Sequence, residues 1–442
     1  MASGCRATAT GLRGFHRRAR RGPVGQVSSS RRRAWFVAAT ILLTLPMALV
    51  ASEVTARVLK HFFCSGRGDR LHMPHSTLGW FHPSGASGWS HACRGREFEF
   101  RTYVRMNSLG LRDRELDYRR SGDRPRVLLL GDSITEAVQV DFEETFTERL
   151  ETAWRVAGRD VEVVNGGVSA YSTDNELLFY REEGRRYAAD LVVLVFNFQN
   201  DVAENHPEIF GRMMGTGRRD ERLVKPTAVF SGRDAFAFDT SELEAHVDKL
   251  DRDPQGRPRA WSERLAATFH VVRVIRRWID RCIDGPESPS PIPLTFDIYD
   301  TPPSSLWVEA WERTEAFVLA LRRDVEADGA GFVVALMPDK AMIEPRWWSW
   351  FATRAGDRAS RWRVDYPRGR MLAWLAEVEI DTIDLTEALR DYRRERAVQP
   401  FFEFDIHLTP AGHEAVAATL LHELTPRLQA DGGTVIHNDA VQ

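Results

Sequence analysis

Arg126-Val127-Leu128-Leu129-Leu130-Gly131-Asp132-Ser133-Ile134-Thr135 decides how the rest of the chain is read. The apolar run is the pattern of a buried strand, and it breaks off abruptly in Gly-Asp-Ser. A serine hydroxyl therefore stands at the C-terminal tip of a strand, where an open α/β sheet keeps its chemistry. Far downstream, Phe404-Asp405-Ile406-His407-Leu408-Thr409-Pro410-Ala411-Gly412-His413 sets a carboxylate and an imidazole just ahead of a helix. Ser133, Asp405 and His407 together form a candidate nucleophile, orienting acid and general base.

Working outward from the first stretch, strands and helices alternate. Strand patterns cover residues 127–130, 161–164, 191–196, 331–337 and 380–383, with helical patterns over 143–156, 174–185, 307–325 and from Pro410 to about 424. Such alternation predicts a parallel sheet with helices on both faces. Proline suits the first turn of that last helix. Before the sheet, alternation of Phe98, Phe100, Val104 and Met106 with charged residues predicts one strand with a wet face. Between about 204 and 303 the pattern lapses into a polar, proline-punctuated insertion. It contains one amphipathic helix marked by Leu265, Phe269, Val272, Ile275, Ile279 and Ile283, read as packing on the enzyme body or as resting on anionic lipid. Asp384 reads as a helix cap, and Trp347, Trp348 and Trp350 as core aromatics before a sugar-stacking or interfacial surface.

With 442 residues, 43% hydrophobic and 28% charged, the chain is globular rather than disordered. A net charge of −3 removes the electrostatic footprint of a nucleic-acid binder. Positive charge does gather at the N-terminus, from Arg6 to Arg33, followed by an uncharged run over residues 34–51. Eighteen helical residues span roughly 27 Å, close to the hydrocarbon core of a bilayer. Arginines on its N-terminal side predict a signal anchor with the following chain extracytoplasmic, periplasmic or extracellular. A cleaved signal peptide is the alternative. Export permits disulfides, and Cys64 and Cys93, bracketing a Gly- and Ser-rich segment, are expected to pair. Cys5 lies on the cytoplasmic side and Cys282 reads as a buried thiol. His61, His72, His75, His82 and His91 match no metal-ligand spacing.

The motifs resemble those of the SGNH (GDSL-type) hydrolases. Gly131-Asp132-Ser133 resembles the first of that family's four blocks, and residues 164–171 (Val-Asn-Gly-Gly-Val-Ser-Ala-Tyr) the second. Phe198-Gln199-Asn200-Asp201 resembles the third and Asp405-Ile406-His407 the last, so the likeness covers residues 126–415. The resemblance implies a flavodoxin-like three-layer α/β/α sandwich, with Ser133 as nucleophile and Asp405 and His407 completing a triad. It further implies an oxyanion hole from the Ser133 and Gly167 N–H groups and the Asn200 side chain, and no cofactor or metal. Phe198 stands where the family usually has glycine, and Asp-x-His replaces the commoner Asp-x-x-His. His413 is the rival imidazole, less suited because it sits a turn into the helix.

The expected organisation is a basic tail (1–33), an anchor (34–52), a lead-in segment (53–120), a hydrolase domain (121–428, insertion about 204–303) and a flexible tail (429–442). The expected function is a membrane-anchored serine esterase acting on O-acyl esters, with a lipid or an acetylated polysaccharide as substrate. The alternatives are an O-acetyltransferase or deacetylase of cell-surface polysaccharide, and a non-catalytic glycan-binding module on the same scaffold. Acyl chain length, alcohol portion and oligomeric state are not legible.

Overall fold

The computed structural model describes residues 29–430, except 63, 65–67, 70, 96, 121, 216–222 and 253–291. Most of the basic tail, the helix expected over 265–283, Cys5, Cys282 and the C-terminal tail fall outside the described residues.

A helix over Ser29–Phe62 comes first. Its segment Arg32–Thr55 contains an 18-residue window of mean hydropathy 2.1, none of that window buried in the protein, so it is long and apolar enough to span a bilayer. One such helix fits a signal anchor or a single-pass membrane protein. The lead-in segment then forms two antiparallel hairpins rather than one strand, β1 (Met73–His75) with β2 (Gly79–Phe81), and β3 (Ser87–Arg94) with β4 (Glu97–Arg105). Cys64 is bonded to Cys93, tying the chain just beyond the anchor to the end of β3.

Five parallel strands make the central sheet: β5 (Arg126–Gly131), β6 (Glu162–Gly167), β7 (Leu191–Asn197), β10 (Gly331–Met337) and β11 (Asp381–Asp384). Their spatial order is β11-β10-β7-β5-β6, so the connections leave β5 in one direction and return past it in the other. That reversal opens a crevice at the carboxyl ends of β5 and β7. Side chains on each strand alternate between two cores. Leu128, Leu130, Val192, Leu194, Val334 and Leu336 face one, packed under helices Thr173–Glu182 and Ser305–Ala327. Val127, Leu129, Val193, Val195, Val333 and Ala335 face the other, under Phe146–Val156 and Pro410–Ala430. Burial on both faces is why β5, β7 and β10 read as apolar runs. Each buried Val or Leu contributes about 1.5–3 kcal/mol.

The described part of the insertion holds helices Pro207–Gly215 and Ser241–Arg252 and a small hairpin, β8 (Thr227–Phe230) with β9 (Phe236–Asp239). Trp347 and Trp348 pack against the first core, while Trp350 is 44% exposed. Asp384 Oδ1 accepts from Thr386 N–H at the head of helix Thr386–Arg396.

Candidate active site

Gly131, Asp132 and Ser133 turn the chain from β5 into the short helix Ser133–Glu136. Glycine is required at 131, since a Cβ there would lie 2.2 Å from Thr135 Oγ1. Asp132 caps the helix, its Oδ1 accepting from Ile134 N–H at 2.8 Å. Its other oxygen accepts from Asn197 Nδ2 at 2.7 Å, joining the tips of β5 and β7. Burial pushes the Asp132 carboxyl up, against the opposing pull of the Ile134 N–H and the Asn197 and Asn200 amides. Ser133 is thereby fixed at the first helical position, where its own N–H has no partner within the helix.

His407 reaches this serine from the far end of the chain. Its Nε2 lies 2.8 Å from Ser133 Oγ, while its Nδ1 is hydrogen-bonded to Asp405 Oδ1. The same carboxylate oxygen accepts the backbone N–H of His407 at 3.0 Å, possible because only Ile406 separates the two residues. Burial alone would lower the affinity of His407 for a proton. The Asp405 charge and hydrogen bond outweigh it and hold the imidazole above its usual range. Asp405 answers in the opposite sense, burial being outweighed by His407 so that its carboxyl falls below the ordinary value.

A cavity of about 710 Å³ opens over these atoms. Asp132, Ser133, Ser169, Ala170, Asn197, Asn200 and His407 line its polar end; Met213, Ile292, Leu294 and Ile406 supply apolar wall, and Arg212 and Arg358 also border it. Asn200 Nδ2 donates to Tyr171 O at 2.9 Å.

Gly167 does not take the place expected of it. It ends β6 in a buried position, its N–H donates to Asn165 Oδ1 at 3.0 Å, and it is not among the residues lining the cavity. A Cβ at 167 would lie 2.3 Å from Glu136 N, so this glycine serves close packing of strand on helix. The second block instead presents Ala170 to the cavity, with φ of 65° and an N–H that has no partner among the described residues. A left-handed residue is ordinarily glycine, which is why a search of this block for glycine passes over alanine. Phe198 is buried and meets Phe196 edge-on at 5.3 Å, so it fills core rather than cavity. His413 also lies away from the serine, stacked on Phe146 with Nδ1 accepting from Phe146 N–H. Sequence reasoning missed Asn197 and Lys340 as well. Lys340 follows β10 and donates to the carbonyls of Phe402, Glu403 and Asp405. Among the described residues, the one His/Cys/Asp/Glu group close enough to chelate is Cys64, His91 and Cys93, where the two sulfurs are bonded to each other.

The sheet order and the placement of motifs at strand tips define a flavodoxin-like α/β protein with its crevice at the point where the strand order reverses. Residues 307–439 match the model of the SGNH hydrolase-like domain of the acetyltransferase AlgX. That match covers the last third of the chain, including Asp405 and His407. Solved structures that resemble it include TesA, at 12% identity and a TM-score of 0.31, covering 68% of this chain and 98% of that one. A catalytic mutant of an acetylxylan esterase from Geobacillus stearothermophilus gives 12% and 0.35, covering 70% and 97%. The acetyl xylan esterase AlAXEase gives 10% and 0.33, covering 67% and 98%. No curated protein sequence matches this one. The match of that region to an SGNH hydrolase-like domain of an acetyltransferase supports acyl-ester hydrolysis or acetyl transfer as the class of chemistry.

Proposed function

We propose that the chain is a membrane-anchored, extracytoplasmic serine esterase that cleaves O-acyl esters through Ser133, His407 and Asp405. The observation carrying this reading is the relay from Ser133 Oγ through His407 to Asp405 at the mouth of the cavity. Ser133 Oγ attacks the acyl carbonyl while His407 Nε2 takes its proton. Asp405 keeps the other imidazole nitrogen protonated and stabilises the cation. The Ser133 and Ala170 N–H groups, with the Asn200 amide, are assigned to the oxyanion. Collapse of the tetrahedral intermediate breaks the C–O bond, His407 returns the proton to the departing alcohol, and the acyl group stays on Ser133. Water then attacks the acyl-enzyme by the same steps and releases the acid. The arginine-flanked N-terminal helix supports the anchor and its orientation.

Acetyl transfer is the second reading, favoured by the match of residues 307–439 to an acetyltransferase domain. Only the second acceptor differs, a saccharide hydroxyl replacing water. The test is hydrolysis of p-nitrophenyl acetate, butyrate and octanoate by the full chain in detergent, with Ser133→Ala and a serine-reactive phosphonate alongside. Hydrolysis and labelling that both depend on Ser133 support the esterase. Labelling without hydrolysis, with acetyl appearing on an added oligosaccharide, points to the transferase. Neither activity in folded protein overturns the serine chemistry and leaves the glycan-binding alternative.

A further inference from the structure

The loop that carries Asp405 and His407 has little apolar anchorage of its own at its tip, where Phe404 is 51% exposed. It is gripped instead by two charges from different parts of the chain. The Glu99 carboxylate, on β4 of the lead-in segment, accepts Phe404 N–H at 2.6 Å and Asp405 N–H at 3.0 Å. From the other side, the buried Lys340 ammonium donates to Phe402 O at 2.5 Å, Glu403 O at 2.7 Å and Asp405 O at 3.2 Å. A carboxylate on adjacent N–H groups and an ammonium on adjacent carbonyls fix the peptide planes on both sides of Asp405. Hydrogen bonds to charged groups are roughly twice as strong as neutral ones. Phe100, next to Glu99, packs its ring 5.1 Å from that of Phe402.

The same lead-in segment also holds the opposite wall of the cavity. Trp80 Nε1 donates to Ser169 O at 2.9 Å, and Tyr171 Oη donates to Trp80 O at 2.7 Å, so Ala170 lies between two tethered neighbours. His82 Nε2 lies 3.2 Å from Glu136 Oε1, and the other oxygen of Glu136 accepts Ser169 N–H at 2.5 Å. Both loops that meet at Ser133 are thus braced by residues outside the α/β sheet.

We infer that the lead-in segment is a working part of the site, with Glu99 as the positioning residue that sets the Asp405–His407 loop against Ser133. The inference rests on the serine-ester reading for its kinetic consequence. Its geometric consequence, the Asp405 hold on His407, can be read without turnover.

The test compares Glu99→Ala, Glu99→Gln and, as control, Glu97→Ala in the full chain in detergent micelles. Glu97 is exposed on the same strand and has no side-chain partner among the described residues. Two readouts are needed, kcat and KM on p-nitrophenyl acetate, and the His407 titration by NMR of histidine-labelled protein, assigned with His407→Gln. Misplacing a reacting group by about 1 Å can cost on the order of 10²-fold, so Glu99→Ala should lower kcat about ten- to a hundredfold. KM should stay within about threefold, and the His407 midpoint should fall toward that of an unassisted imidazole. Glu99→Gln retains one acceptor and should lose less; Glu97→Ala should match the parent. A Glu99→Ala protein with parental kcat and His407 titration overturns the inference. So does a loss of thermal stability with the His407 midpoint unmoved. If the parent shows no Ser133-dependent hydrolysis but Glu99→Ala still shifts His407, the ester reading fails and the positioning role stands.

Discussion

Two histidines flank the junction between the loop ending at Thr409 and the helix Pro410–Ala430, and their surroundings drive them in opposite directions. His407 lies in the loop, beside a carboxylate, and is held above its usual range. His413 is a turn into the helix, buried against Phe146; burial, reinforced by the positive charges of Arg112 and Arg149, drives it down to about 3. One imidazole is equipped to receive a proton and the other to remain neutral. Neighbours, not residue type, decide which histidine can serve as a base.

The largest test of that contrast is removal of each ring. His407→Ala should cost at least about 10³-fold in kcat on an activated ester, as loss of a triad member does, with the fold intact. His413→Ala should leave kcat within a few-fold and instead lower stability by about 1–3 kcal/mol, because Phe146 N–H loses its acceptor in a buried place. Equal loss of turnover in both variants would break the comparison. Next in size comes Asn200→Ala, expected to lower kcat about 10²- to 10³-fold if its amide meets the oxyanion.

Smaller effects follow from pH. On the proposed chemistry His407 must be unprotonated to act as base, so the acid limb of kcat/KM should fall above the ordinary imidazole midpoint of 6.5, read from a pH–rate profile. His413 has the opposite linkage. Its folded-state affinity for a proton is depressed, so its contribution to stability is complete above about 6.5 and is lost as pH falls toward about 3. Denaturant titrations across that window should show stability falling with acid in the parent and a shallower fall in His413→Ala.

Strands β5, β7 and β10 were legible because burial on both faces makes them unbroken apolar runs, whereas β11, with Asp381 exposed, left only a short apolar signal around Ile380 and Ile383. Ser133, Asp405 and His407 were legible as short motifs at element ends, and the structure brings the three together. Gly167 was misread because a glycine can serve a close approach as well as an exposed N–H, and only the local fold separates the two. Glu99 and Lys340 carried no signal at all. Their partners are backbone atoms distant in sequence, and backbone atoms have no letters. The paired hairpins of the lead-in segment were half visible, since β4 alternates cleanly while β3 carries Gly88, Ser90 and His91.

The order of the motifs along the chain has a consequence for synthesis. The serine leaves the ribosome at position 133, whereas the carboxylate and imidazole arrive at 405 and 407, after every strand of the sheet. On the proposed chemistry, a growing chain carries an unarmed hydroxyl through nearly its whole production and export. It gains its reactivity in one late step, when the final loop docks.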